Sequence, residues 1–302
     1  MKHKIISLLI AFCIILIPSG CARLDANLFE NDNTIDQYYL DDYAGEVHFR
    51  LDSSYDIAAI DITLFQLSSK NADGKQKNIW AVYIGNTADI PTLSHKVIVY
   101  NHGNYAHMDY YWERAKLLAN AGGKNHFGVL MVDYQGYGLS EGEPGETALY
   151  NDVQAGINWL QAQGLSTSSQ LIYYGYSLGS APSTELTANP RTIAPSKLIL
   201  EAPFASAEVM VQDSSLLSLP ASYVTSNKID NANKIRNINQ PLLWMHGTAD
   251  NFLHIDTHGE VIYKNHPGIK TAIRVQGADH ATIPETLGFT NYLNIIASFI
   301  DS

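Results

Sequence analysis

A serine between two glycines is the first candidate for chemistry in this chain. Ser177 lies in the stretch LIYYGYSLG (171–179), where Gly175 precedes it by two positions and Gly179 follows it by two. The pattern predicts a buried strand that turns abruptly into a helix, with the serine at the apex. A serine hydroxyl is a poor nucleophile at neutral pH, so it needs a neighbouring base, and the oxyanion that forms when it attacks a carbonyl needs hydrogen-bond donors.

A carboxylate and an imidazole follow two later strand-like runs. PLLWMHG (241–247) leads into Asp250, and TAIRVQG (271–277) leads into His280. Reactive groups gather at the carboxyl ends of parallel strands, so Ser177, Asp250 and His280 are expected at one edge of a sheet. They also follow one another in the order serine, acid, histidine that a nucleophile on a strand-to-helix turn requires.

The oxyanion donors are expected from two backbone N–H groups. Leu178 begins the predicted helix, and the N–H groups at a helix N-terminus have no acceptor within the helix. The run HKVIVYN (95–101) is followed by His102, Gly103 and Asn104, which predicts the N–H of Asn104 as the second donor. His102 lies between the strand and that donor, which favours a structural hydrogen-bonding role for its ring.

The loops that carry these residues can meet at one edge only if the apolar runs before them form a sheet, and we expect helices on both faces of that sheet. From residue 95 onward, short apolar runs alternate with helical periods, which is typical of parallel strands joined by helical crossovers. We predict two antiparallel strands in front of them, EVHFRLD (46–52) and NIWAVYIG (78–85). The parallel strands are expected at 95–101, 127–133, 170–175, 197–202, 241–247 and 271–277.

The motifs together resemble the α/β-hydrolase superfamily, in particular its acyl-hydrolase and serine-aminopeptidase-like branch. They are HGN, DYQGYGLSEGEP (133–144), GYSLG, EAPF (201–204), HGTAD and GADH. The resemblance implies an α/β fold with a mostly parallel central sheet of about eight strands, helices on both faces and a small cap at about 205–240. It also implies Ser177 as nucleophile, His280 as base and Asp250 as its partner, with an oxyanion hole at Asn104 and Leu178.

Three other positions bear on this interpretation. Glu201 ends a strand where some members of the superfamily carry the triad acid, so it is an alternative to Asp250. His254 and His258 have the spacing of metal ligands on a helix, but no third ligand is evident, and we expect no metal and no cofactor. Gln135 occupies a position that is commonly arginine in the branch.

The first twenty residues have the architecture of an export signal. Lys2 and Lys4 precede an apolar core from Ile5 to Ile17, which is too short to span a bilayer. The small residues before Cys21 resemble a bacterial lipoprotein box, which implies cleavage before Cys21 and a diacylglyceryl group on its thiol. An ordinary secretory signal is the alternative. The expected domains are a signal peptide (1–20), a lipidated tether and lead-in (21–45) and the hydrolase domain (46–302).

The net charge and the cysteine content limit the possible binding partners and the possible disulfides. The chain has a formal net charge of −11, and removal of Lys2 and Lys4 with the signal makes the remainder more acidic. An acidic surface argues against nucleic acid or anionic lipid as a direct partner. The two cysteines are Cys13, in the signal, and Cys21, so the exported domain would contain no disulfide.

These observations predict a serine hydrolase in the bacterial cell envelope, anchored to a membrane by the lipid on Cys21. Its expected substrates are small carboxylic esters or thioesters, cleaved through an acyl-enzyme. Two alternatives remain open. A serine peptidase or aminopeptidase acting on short peptides would use the same triad, and a non-catalytic binding lipoprotein could have the same fold.

Overall fold

The computed structural model describes residues 29–46, 49–214 and 228–302. The predicted signal peptide and Cys21 lie outside the described residues, as does 215–227 within the predicted cap. Within the described ranges, no helix combines the length and the apolar character needed to cross a bilayer.

An eight-stranded sheet runs through the described part of the chain. The strands described are β1 Glu30–Asn31, β2 Ile62–Lys70, β3 Gln76–Ile84, β4 Lys96–Asn101, β5 Tyr105–Ala106, β6 Phe127–Val132, β7 Leu171–Tyr176, β8 Lys197–Glu201, β9 Leu242–Gly247 and β10 Lys270–Val275. The spatial order of the large sheet is β10-β9-β8-β7-β4-β6-β3-β2. β3 pairs antiparallel with both β2 and β6, and every other pairing in this sheet is parallel. A separate short sheet joins β1 to β5 in parallel.

Apolar residues on both faces of the strands build two cores. In β7 all six residues are buried, and their side chains alternate between the faces of the sheet. Leu171 and Tyr173 belong to one apolar cluster, whereas Ile172, Tyr174 and Tyr176 belong to the cluster on the opposite face. This explains why the parallel strands appear in the sequence as continuous apolar runs.

Helices cover both faces of the sheet. Among the described residues the helices are α1 Trp112–Ala119, α2 Glu146–Ala162, α3 Ser180–Ala188, α4 Ala207–Ser214, α5 Asn231–Lys234, α6 Gly259–Asn265, α7 Ile283–Leu287 and α8 Phe289–Asp301. Apolar side chains of α2, α3 and α6 pack into the first cluster, and those of α1 and α8 pack into the second. The predicted α/β-hydrolase architecture, with a mostly parallel sheet of about eight strands, is confirmed.

One predicted strand is wrong. The described part of 46–52 lies outside the strands, and the partner of β3 is instead β2, at 62–70. Phe49 is buried and packs against Phe289 with ring centroids 5.2 Å apart. Alternating apolar residues also suit a segment that packs on a core without joining a ladder. Here the N–H of Phe49 donates to the carbonyl oxygen of Glu46 at 3.0 Å, which is a turn contact and not a strand pairing.

Candidate active site

Ser177 lies on a strained turn between β7 and α3. Its φ of +51° falls in the left-handed region, which is unusual for a residue other than glycine. A short 3₁₀ turn over Ser177–Gly179 leads directly into α3. The hydroxyl of Ser180 donates to the Ser177 carbonyl at 2.6 Å, which stabilises the turn from within.

The flanking glycines are required by close backbone approach. A methyl group on Gly179 would lie 1.9 Å from the carbonyl oxygen of Asn101, at the end of β4. A methyl group on Gly175 would lie 2.6 Å from the carbonyl oxygen of Gly179 itself. Strand, turn and helix therefore pack so tightly around Ser177 that a side chain at either position would force them apart.

The structure brings Ser177, His280 and Asp250 into one hydrogen-bond chain. Nε2 of His280 lies 2.9 Å from Oγ of Ser177, and Nδ1 of His280 lies 2.8 Å from Oδ2 of Asp250. A carboxylate can only accept, so Nδ1 carries the proton and Nε2 is left to accept from the serine hydroxyl. This is the arrangement in which an imidazole can act as a base toward serine.

The surroundings of Asp250 hold it ionised. Its side chain is fully buried, and burial alone would raise its pKa. Hydrogen bonds from His246 and His280, together with the N–H of Leu253, instead hold the pKa of Asp250 well below its ordinary value. Oδ1 accepts from the N–H groups of Phe252 and Leu253 at 3.0 and 2.8 Å. The charge that orients His280 is thereby fixed in place.

His246 is a partner of Asp250 that sequence reasoning missed. Its Nε2 lies 3.2 Å from Oδ2 of Asp250 and 2.9 Å from the carbonyl oxygen of Leu253. It is the last residue but one of β9 and lies four residues before Asp250, within the HGTAD motif. The signal available was that spacing, because a ring at the end of a strand can reach the loop that follows.

The two predicted oxyanion donors border the same space as Ser177. Asn104 and Leu178 both line the pocket that opens at the serine. The Asn104 side chain is fixed by Tyr137, whose hydroxyl donates to its Oδ1 at 2.9 Å. Gly103, just before it, passes so close to Tyr111 that a methyl group would lie 2.7 Å from the tyrosine hydroxyl. The loop is therefore held tightly beside the serine.

The pocket beside Ser177 is almost wholly apolar. One wall comes from Phe29, whose segment joins the body of the protein where β1 pairs with β5, immediately after Asn104. Phe252 is 56% exposed, so it also presents an aromatic surface to solvent. The described lining is Phe29, Asn104, Ser177, Leu178, Phe204, Ala207, Met210, Ile229, Phe252 and Leu253.

Glu201, the alternative acid, has other partners. Its side chain is fully buried and accepts from Nη1 of Arg114 at 2.7 Å. Its second oxygen accepts from the hydroxyl groups of Tyr174 and Tyr292. The carboxylate that reaches the His280 ring is that of Asp250.

Of the remaining candidate histidines, His102 and His258 are buried within the fold, whereas His254 is exposed. His102 is buried with its ring stacked on Tyr134, the centroids 4.2 Å apart, and its Nδ1 lies 2.8 Å from the Gly103 carbonyl oxygen. His258 is buried as well, and its Nδ1 accepts from the N–H of Ala205 at 3.0 Å. Both sets of contacts are structural.

Comparison with known proteins supports the fold. The profile of the family described as serine aminopeptidase, S33 (Hydrolase_4), matches residues 93–233. An esterase from Pyrococcus furiosus superimposes with a TM-score of 0.62 at 14% identity, over 90% of this chain and 98% of its own. The chain has the α/β-hydrolase fold. An esterase from a Rhodococcus species has the same fold, with a TM-score of 0.56 at 19% identity, over 78% of this chain and 98% of its own.

Sequence relatives of this chain come from bacteria and animals. The Escherichia coli protein YfhR is 26% identical over 285 residues, which cover 92% of this chain and 87% of YfhR. The α/β-hydrolase domain-containing protein aho-3 of Caenorhabditis elegans is 28% identical over 210 residues. That match covers 69% of this chain but only 58% of the worm protein, so the likeness concerns a part of aho-3.

Proposed function

We propose that this α/β-hydrolase cleaves carboxylic esters or thioesters through an acyl-enzyme on Ser177. The observation that carries the proposal is the continuous chain from Ser177 Oγ through His280 to Asp250, which opens onto an apolar pocket. A nucleophile, a correctly tautomerised base and a buried anion are the parts that such a reaction needs.

Acylation follows from these contacts. Oγ of Ser177 bonds to the substrate carbonyl carbon while its proton passes to Nε2 of His280. The oxygen that gains the negative charge accepts hydrogen bonds from the N–H groups of Asn104 and Leu178. Asp250 stabilises the imidazolium, which then gives its proton to the departing alcohol or thiol as the bond to the acyl carbon breaks.

Deacylation uses the same groups in reverse. A water molecule gives one proton to Nε2 of His280 as its oxygen attacks the acyl carbon of the ester on Ser177. Collapse of the second tetrahedral intermediate releases the carboxylic acid and returns the proton to Oγ. The apolar side chains beside Ser177 favour an acyl group as the occupant of the pocket, because burying apolar surface stabilises the complex.

A peptidase is the second candidate, since the matching family is described as serine aminopeptidase. An aminopeptidase must bind a substrate ammonium group, for which a carboxylate at the pocket is the natural partner. Within the described lining, the only strongly polar side chains are Asn104 and Ser177, and none is acidic. The lining therefore favours esters over peptides with a free amino terminus.

The test is labelling with a fluorophosphonate, followed by turnover of p-nitrophenyl esters of increasing chain length and of aminoacyl anilides. Labelling should require Ser177, and esters should be the better substrates. Ser177→Ala should lower ester turnover by on the order of 10⁶-fold with an unchanged melting temperature. The control, Ser169→Ala, removes an exposed hydroxyl before β7 and should leave turnover intact. Normal turnover by Ser177→Ala would refute the proposal.

We further propose that the protein is an exported lipoprotein, held at a membrane of the bacterial envelope by acylated Cys21. The motif around Cys21 supports this. Phe29, in the pocket wall, follows Cys21 by eight residues, which span at most about 28 Å when fully extended. Detergent-phase partitioning that is lost in Cys21→Ser is the expected result, and unmodified protein free in the periplasm would contradict it.

A further inference from the structure

A buried arginine lies beneath the loop that carries His280. Arg114, on α1, has a side chain only 4% exposed, and each of its donor nitrogens has a partner. Nε donates to Glu46 at 2.5 Å, and Nη1 donates to Glu201 at 2.7 Å. Nη2 donates to the carbonyl oxygen of Ala281 at 2.5 Å. The third contact joins the guanidinium to the residue directly after the candidate base.

The same guanidinium supports the loop through Tyr176. Its central carbon lies 4.2 Å from the centre of the Tyr176 ring, and Tyr176 immediately precedes the nucleophile. The Tyr176 hydroxyl donates to the carbonyl oxygen of His280 at 3.4 Å. Two successive peptide carbonyls, those of His280 and Ala281, are thus bound from the same side by Arg114 and the ring on which it stacks.

Two glutamates hold the arginine in its orientation. Burial alone would lower the pKa of Arg114, but Glu46 and Glu201 raise it, so the guanidinium stays charged. Glu201 is fixed in turn by the hydroxyl of Tyr292, which donates to it at 2.8 Å, and by that of Tyr174. A planar guanidinium with fixed partners on two edges has little freedom to move its third edge away from Ala281.

We propose that Arg114 is a positioning residue for His280: by binding the Ala281 carbonyl it fixes the loop so that Nε2 of the imidazole meets Ser177 while Nδ1 meets Asp250. This rests on the hydrolase function proposed above. It also assigns Glu201 a place in the site, as the group that orients Arg114.

Arg114→Met tests the proposal, because methionine keeps apolar bulk but cannot bind the Ala281 carbonyl. A displacement of about 1 Å in a reacting group can lower turnover by on the order of 10²-fold, so kcat should fall by about that factor. KM should change little, because Arg114 does not line the pocket. Arg114→Lys keeps the charge and one donor group and should recover part of kcat.

Removing the arginine also leaves two buried glutamates without a counterion, which could by itself unfold the protein. The triple variant Arg114→Met/Glu46→Gln/Glu201→Gln removes those charges as well, so its melting temperature should recover. Its kcat should stay low, because the Ala281 carbonyl is still unbound. Recovery of folding without recovery of kcat is the result that separates positioning from a purely structural role.

Lys116→Met is the matched control. Lys116 is a buried cation on the same helix, two residues from Arg114, and its Nζ lies 2.5 Å from Asp41. Its loss removes ion pairs with Asp41 and Glu113, whose carboxylates are more exposed than those of Glu46 and Glu201. The contacts of Arg114 with the loop of His280 stay in place, so kcat per active site should stay within about threefold of wild type. The comparison therefore controls for the general cost of losing a buried cation from α1.

Two readouts are needed. Turnover is divided by the fraction of Ser177 labelled by fluorophosphonate, so that only folded sites are counted. Proton NMR follows the downfield resonance of the His280 Nδ1–H bound to Asp250, which should be lost in Arg114→Met and the triple variant and retained in Lys116→Met. Near-wild-type kcat with an intact resonance in the folded triple variant would overturn the proposal. If wild type turns over no substrate, the hydrolase proposal fails, and the resonance alone still decides the role of Arg114.

Discussion

Asp152 should make the protein less stable as pH rises from acid to neutral. It is fully buried on α2 and accepts three hydrogen bonds. Ser69 Oγ donates at 2.5 Å, and the backbone N–H and side-chain Nε2 of Gln135 each donate at 2.7 Å. None of these donors carries a charge. Gln135 stands where the sequence resemblance implies an arginine, so the hydrogen-bond donors to this carboxyl are neutral and include no cation.

The size of the effect follows from the pKa of the buried carboxyl. Burial raises the pKa of Asp152 from 3.8 to about 7, against the opposing pull of its hydrogen bonds. The folded state therefore holds a proton that the unfolded chain has already lost, so stability falls as pH rises between these two pKa values. Between pH 5 and pH 8 the loss is roughly 2 to 3 kcal/mol in the free energy of unfolding.

Urea unfolding of wild type and Asp152→Asn at pH 5 and pH 8 measures this loss. The asparagine side chain cannot ionise. The free energy of unfolding of the variant should therefore lack the fall of roughly 2 to 3 kcal/mol between pH 5 and pH 8, whatever its absolute stability. Groups shared by the two proteins cancel in the difference. Gln135→Arg, which would supply the missing cation, should flatten the pH dependence in the same way. Equal pH dependence in wild type and Asp152→Asn would refute the reasoning.

Three further outcomes are expected. Asp250→Asn should lower kcat by about 10⁴-fold in a folded protein, because the His280 ring loses its orienting charge; activity within tenfold of wild type would exclude Asp250 as the acid. Gly179→Ala should lower the melting temperature sharply, since its methyl group would meet the Asn101 carbonyl, whereas Gly145→Ala meets nothing within 4 Å and should melt normally. Phe29→Ala should enlarge the pocket and shift the best p-nitrophenyl ester to a longer acyl chain, and an unchanged preference would remove Phe29 from the specificity wall.

The order of the site residues along the chain was readable from sequence. Each of Ser177, Asp250 and His280 follows its own apolar run, and parallel strands necessarily bring their carboxyl ends to one edge. The two glycines around the serine were equally readable, since a turn with φ of +51° packed against β4 leaves no room for other side chains. Strand direction and the motif of a strand-to-helix turn suffice to predict these features. The contact that excludes a side chain at Gly179, with the Asn101 carbonyl at the end of β4, is visible only in the structure.

Only the tertiary structure decided which distant segments pair with one another. Arg114 and Glu201 are separated by 87 residues, and Gln135 reaches Asp152 across a strand–helix connection. Phe29, in a segment that the sequence assigns to a tether, enters the pocket wall because β1 pairs with β5. The 46–52 stretch carries the alternation of a strand, yet its described part packs Phe49 onto the core. A sequence pattern indicates which side chains are buried. It does not indicate which surface covers them, because that depends on how the completed sheet and helices pack together.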